Sequence, residues 1–265
     1  MSFENEGFLS ADITAWIAKA RSEHVDWFQL ADQLNQEGMK FLFAAQPSSG
    51  SNREFVAALL FGRALQAFQG SVLLSERGMG AEARTLVRNC AEAAIALGNV
   101  ALSETFLDEL IADYDKHRLT IANVFFNDPD CKSELPAEQL EKLREVANAI
   151  TAQYHPNRPK GINWDAAAKK AGMAALYNTV YRGISGDAAH VSIDALNRHI
   201  KSDADNNVEH LTFRPSSGDL ADTLSAGASA MLHSMEALGR IYGQSSVSNL
   251  VSRLGEVWRG LAIPA

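Results

Sequence analysis

The stretch Asn89-Cys90-Ala91-Glu92-Ala93-Ala94-Ile95-Ala96-Leu97 decides the fold of this chain. It is small and apolar nearly all round, and Glu92 is the only charged residue between Asn89 and Ser103. A helix of that kind is normally buried by its neighbours. Residues 80–100 therefore read as the central helix of an all-helical molecule. A lone carboxylate in such surroundings carries a heavy desolvation cost, so Glu92 is expected to be paired or protonated. Arg84, Arg88 and Glu92 follow at intervals of four and lie along one slowly turning strip. Arg88 is the nearest partner, and the spacing predicts a buried ion pair that fixes helix register.

The flanking sequence continues in the same style. Asn52 is placed to cap a helix running to Glu76, with Gly78 at its C-terminal end. Upstream, Ser10 and Asp12 open a helix carrying Ile13, Trp16 and Ile17, and a second runs from about Glu23 to Phe43. Pro47-Ser48-Ser49-Gly50-Ser51 is a loop. Downstream, Ser103 opens a helix that Asp128-Pro129 ends, and Pro136 starts a charged helix to about Ala152. Tyr154 to Gly161 is the strongest loop in the chain. A helix is predicted over 164–184, with Met173, Leu176, Tyr177, Val180 and Ile184 along one stripe. A short helix follows through Ile200, then a polar connection whose one candidate strand is Val208 to Phe213. Asp219 to Tyr242 and Ser246 to Trp258 are the last helices. Valine, isoleucine and threonine nowhere alternate as strands require.

These elements define an all-α fold: a single large helical bundle of about eight to ten helices with no significant sheet. Residues 1–50 form an N-terminal helical extension, 51–242 the bundle core, and 243–265 a C-terminal helix and tail. The 265 residues are 46% hydrophobic, enough for a sizeable core. A net charge of −8 argues against broad nucleic-acid or membrane-surface binding and leaves room only for a local basic cleft. Cys90 and Cys131 lack metal-ligand spacing and read as reduced thiols. Met1 to Gly7 has no basic region or signal-type apolar core, and the apolar stretch from Phe55 to Phe68 is interrupted by Arg63 and too short to span a bilayer. The expectation is a cytoplasmic protein with no membrane association.

A second polar concentration runs from Tyr177 to His190, with Asn178, Tyr181, Arg182, Ser185 and Asp187 between them. On a continuous α-helix Asn178, Arg182 and Ser185 fall within about 60° of one another. Gly183 and Gly186 either permit close approach of another helix or mark a break. Asp187 and His190, three apart, are spaced for a carboxylate to orient an imidazole. Together Arg84, Arg88, Glu92, Asn178, Tyr181, Arg182, Ser185, Asp187 and His190 are the candidate cluster. It is either a structural brace or a binding site, with Arg182 and His190 the catalytic candidates. Asp187-x-x-His190 and His233-x-x-Glu236 have one-turn ligand spacing, yet the further inward glutamates of a di-iron bundle are not evident, so no metal and no cofactor is expected. Phosphate-loop and nucleophile-elbow patterns are absent. For partners, the expectation is a homodimer, or an unidentified protein or small ligand.

Two segments carry a family resemblance. The first is Arg63-x(4)-Phe68-Gln69-Gly70-Ser71-x-x-Leu74-x-x-x-Gly78-x-x-x-Glu82-Ala83-Arg84-x-Leu86-x-Arg88-x-x-x-Glu92. The second is Trp164, then Tyr177-Asn178-x-x-Tyr181-Arg182-x-x-Ser185-x(4)-His190. Their order resembles a family of uncharacterised bacterial all-helical proteins, a domain of unknown function, over roughly residues 55 to 240. More distantly the architecture is similar to HEPN domains, many of them metal-independent ribonucleases of toxin–antitoxin and phage-defence systems. Those pair an arginine and a histidine four to six residues apart, whereas seven residues separate Arg182 from His190 here. What that resemblance implies is a phosphate-stabilising role for Arg182 and an acid or base role for His190.

Overall fold

The computed structural model describes residues 2–187 and 192–262 and is 76% helical. In chain order the N-terminal helices are α1 (Phe3–Glu6), α2 (Ile13–Glu23), α3 (Val25–Ala44), α4 (Asn52–Ser75) and α5 (Gly80–Leu102). Next come α6 (Phe106–Asn127), α7 (Pro129–Ser133), α8 (Ala137–Tyr154), α9 (Trp164–Lys170) and α10 (Ala174–Leu176). A π-helical stretch, Tyr177–Tyr181, leads into α11 (Arg182–Asp187) and α12 (Ile193–Asn197). A small antiparallel ribbon of β1 (Ile200–Ser202) and β2 (Val208–Leu211) precedes α13 (Leu220–Tyr242) and α14 (Ser245–Ala262).

The molecule is all-α apart from that ribbon, where Ile200 pairs with Leu211 and most residues are exposed. Its helical segments outnumber the eight to ten expected, for local reasons. Asp128 does more than end α6, because its carboxylate accepts the Asp130 and Cys131 N–H groups and so starts α7. The span 164–184, which reads as one helix, is divided at Gly172. That residue takes φ +72, and the Met173 N–H turns back to the Ala168 carbonyl at 2.8 Å. The stripe itself survives the break, with Met173, Leu176, Val180 and Ile184 all buried.

The chain forms two compact units. One comprises the residues up to Leu102 together with those from Trp164 onward, and the other is Ser103–Asn163. Boundaries at 50 and 242 both fall inside the first unit. Its centre is the three-helix packing of α4, α5 and α13, with α3 against α4 and α13. The largest fully buried side chains include Phe61, Leu65 and Phe68 of α4, Ile95 and Leu97 of α5, and Leu224, Met231 and Met235 of α13. Twelve α5 residues are buried, as its composition demands, and they include the whole run from Ala93 to Val100. By length and composition α4 is apolar enough to cross a membrane, a longer span than Phe55 to Phe68; in this fold it packs along α5 and α13.

Two local devices fix α5. Arg53 donates Nε to the Val100 carbonyl at 2.9 Å and Nη2 to the Ala101 carbonyl, so a cation satisfies the negative end of the helix. Gly98 lets the turn after α9 press against α5, since a Cβ there would stand 2.8 Å from Met173 Cε and 3.1 Å from Ala171 Cβ. Asn99, fully buried, donates to both Ile95 O and Ala167 O at 2.9 Å and ties α5 to α9.

Within the second unit α6 packs on α8, and Asp115 collects the Tyr154 hydroxyl at 3.2 Å and Arg118 at 3.3 Å. The loop after α8 returns to α6, where the Ile162 N–H donates to Asp113 at 2.9 Å.

Candidate functional site

Arg88 is the centre of the polar cluster. It stands on α5 facing the π-helical stretch and α11, which pack on that helix. Its Nε donates to Ser185 Oγ at 2.7 Å and its Nη2 to the Tyr181 hydroxyl at 2.9 Å. The guanidinium carbon also lies 4.5 Å from the centroid of the Tyr181 ring. The Ser185 hydroxyl donates in turn to the Tyr181 carbonyl one turn back, so hydroxyl and backbone are both satisfied. Tyr181 stacks on Tyr177 at 5.2 Å and meets Trp164 of α9 at 6.4 Å, which extends the cluster into an aromatic row.

Glu92 approaches the same Arg88 Nη2 at 3.9 Å, but its side chain is 36% exposed. The buried ion pair expected there is therefore a half-exposed, long contact. Arg84, Arg88 and Glu92 are all only part-buried on α5. The Tyr181 phenol is held above its usual pKa by burial first and by the charge of Glu92 second, with Arg88 opposing. Arg88 donates to the phenol oxygen, and the neighbouring Glu92 carboxylate disfavours its ionisation.

The second sequence expectation, one helical band of Asn178, Arg182 and Ser185, is split. The π-turn over Tyr177–Tyr181 accommodates an extra residue per turn. It rotates the chain less per residue than an α-helix, so Tyr181 and Ser185 swing toward α5 while Asn178 and Arg182 remain exposed. A Cβ on Gly183 or Gly186 would meet open space, so neither glycine serves a close helix approach. Arg84 is half-buried one turn before Arg88 and is engaged with neighbours of its own. Asp187 closes α11, but its side chain lies outside the described residues, as does all of His190. Of the nine candidates the structure thus unites Arg88, Glu92, Tyr181 and Ser185.

Two features escaped the sequence reading. One is a buried carboxylate of the first unit, Glu76, 7% exposed, which binds Arg21 Nε at 2.9 Å and Arg77 Nη1 at 2.8 Å. Its signal was weak, since Glu76 sits at the end of a helix where charge is ordinary. The other is a cavity of about 470 Å³ beside the first turn of α5, lined in part by Ser75, Gly80, Arg198, Lys201 and Arg214. Its basic residues are scattered through the polar connection, and only folding brings them to Gly80.

No curated protein and no solved structure matches the chain. Residues 54–208, which include most of α4, all of α5 and the Arg88, Glu92, Tyr181 and Ser185 cluster, match a family of unknown function, DUF5677; the match covers more than half of the chain, and the protein belongs to that family.

Proposed function

We propose that the Arg88 cluster is a brace that locks the π-helical segment onto the central helix of a binding or scaffolding module. The observation that carries this reading is the direction of the Arg88 donors. Both Nε and Nη2 are committed across the interface, to Ser185 and Tyr181, rather than pointed at open solvent. A π-turn is a costly local geometry that persists where surrounding contacts over-determine it. Arg88 supplies such contacts from a helix that is itself rigid and buried. Arg182, one of the two catalytic candidates, is exposed and joins none of these bonds among the described residues.

Hydrogen exchange of residues 177–187 tests the brace. Arg88→Met should raise exchange in that segment selectively while the α4, α5 and α13 core stays protected. Unchanged exchange across 177–187 would remove the reading. The alternative, a HEPN-like metal-independent ribonuclease or defence component, is tested by incubating the full chain with RNA in EDTA. Cleavage that Arg182→Ala and His190→Ala both abolish would replace the brace with catalysis.

A further inference from the structure

The cavity beside the N-terminal turn of α5 has the chemistry of an anion site. The ladder of α5 begins with the Ala83 N–H bonding to the Met79 carbonyl at 3.0 Å, so the N–H groups of Gly80, Ala81 and Glu82 precede it. All three residues line the cavity. The first turn of a 23-residue helix presents both unspent donors and the positive end of the helix dipole.

A second, independent observation points to a ligand there. Ser75 lines the same cavity, is only 3% exposed, and its Oγ has no hydrogen-bond partner among the described residues. A buried hydroxyl without a partner is destabilising unless something else supplies the bond. A helical serine normally turns its hydroxyl back onto the preceding carbonyl, as Ser234 does to Ala230 at 2.9 Å. Ser75 makes no such bond and is left with both donor and acceptor capacity.

One lining cation is left for an anionic occupant. Arg198, Lys201 and Arg214 line the cavity against the carboxylates of Glu82 and Asp219. Arg198 contacts Asp219 and Arg214 contacts Glu4, whereas Lys201 is exposed and makes no ion pair among the described residues. Two aromatic side chains stand in the wall. Phe8 and Phe213 both line the space, and Phe213, 64% exposed, stacks on His199 at 4.9 Å. Gly78, at φ +72, also lines the space, and its carbonyl accepts the Ser216 N–H at 3.2 Å.

We propose that this cavity binds a small organic phosphate carrying a planar ring, of mononucleotide size. The phosphate sits on the first-turn N–H groups of α5, receives the Ser75 hydroxyl proton and is neutralised by Lys201. The ring lies against Phe8 and Phe213. The volume of about 470 Å³ suits such a ligand. This inference is independent of the Arg88 brace, which lies two to three turns further along α5.

Calorimetric titration of the full chain with adenosine monophosphate, adenosine and inorganic phosphate tests it. Adenosine monophosphate should bind at least about tenfold more tightly than either fragment. Lys201→Ala should weaken that binding about fivefold to tenfold without changing Tm, because the side chain is exposed. Ser75→Ala should weaken it as well while leaving the Tm of the ligand-free protein equal or higher, since it deletes an unpartnered group. Absence of binding up to about 5 mM nucleotide, equal binding of adenosine, or full affinity in both variants would overturn the proposal. Inorganic phosphate binding as tightly as the nucleotide would overturn the ring-bearing ligand.

Discussion

Replacing Arg88 with methionine keeps much of the aliphatic stem and removes the guanidinium. Four interactions go with it. The bonds to Ser185 and Tyr181, at 2.7 and 2.9 Å, involve a charged donor on a side chain that is 23% exposed. Each contributes about 1–1.5 kcal/mol once partial hydration is allowed for. The contact with the Tyr181 ring at 4.5 Å adds about 0.5–1 kcal/mol. The Glu92 contact at 3.9 Å is half-exposed and adds little. Ser185 still donates to the Tyr181 carbonyl in the variant, so no buried hydroxyl is stranded. The expected loss is about 2.5–4 kcal/mol, read by urea titration with the fluorescence of Trp164, which touches Tyr181. A double-mutant cycle with Tyr181→Phe should return a coupling of about 1–2 kcal/mol. By the same reasoning Glu92→Ala costs less than about 1 kcal/mol, because its contact with Arg88 is long and part-exposed. A loss below about 0.5 kcal/mol for Arg88→Met, or a larger effect at Glu92 than at Arg88, would refute this apportionment.

Glu76→Gln should lower stability by about 1–2 kcal/mol: the carboxylate is buried, but both its arginines are more than a third exposed and can rehydrate. A Tm within 1 °C or so of wild type would contradict it. Burial pushes the Cys90 thiol up to about 12, whereas Cys131 is part-exposed. Native protein at pH 8 should therefore give one equivalent with a thiol reagent and the second only in denaturant; two fast equivalents would place Cys90 wrongly. His233 is held below its usual pKa by burial, with Arg240 adding and Glu236 opposing. A histidine depressed in the native state contributes stability that is complete above its unfolded value near 6.5 and is lost as pH falls toward the folded one. Tm measured between pH 7.5 and 5.5 should fall less steeply in His233→Asn than in wild type, and equal slopes would remove His233 as the cause.

What the sequence made legible follows from which forces are local. The composition of residues 89–97 specifies burial on all sides, and α5 is buried as read. Breakers near Gly78, Asp128 and Pro136 place helix ends to within a residue or two, and the cap read at Asn52 is Ser51, one residue earlier, whose hydroxyl accepts the Glu54 N–H. The fate of Glu92 was not legible, because the exposure of one side of a helix depends on how much of it a distant segment covers. Nor was the band of Asn178, Arg182 and Ser185, whose geometry assumed a uniform turn where a π-turn intervenes. Tyr181 and Ser185 did join Arg88, since their spacing of four holds within the turn that follows. The cavity residues Ser75, Lys201 and Arg214 are far apart in sequence, and no periodicity links them.

The first compact unit is interrupted by the whole of Ser103–Asn163, and its third core helix is α13. On the ribosome, α4 and α5 are finished long before α13 exists. At the usual pace of synthesis the interval between Leu102 and Leu220 is on the order of ten seconds. During that time Phe68, Val87 and their neighbours present to water the face that Gly227 and the rest of α13 will cover. A nascent chain of this protein is thus a natural client for chaperones that hold exposed apolar helices, and truncations that end before α13 should accumulate as aggregates rather than as a smaller folded core.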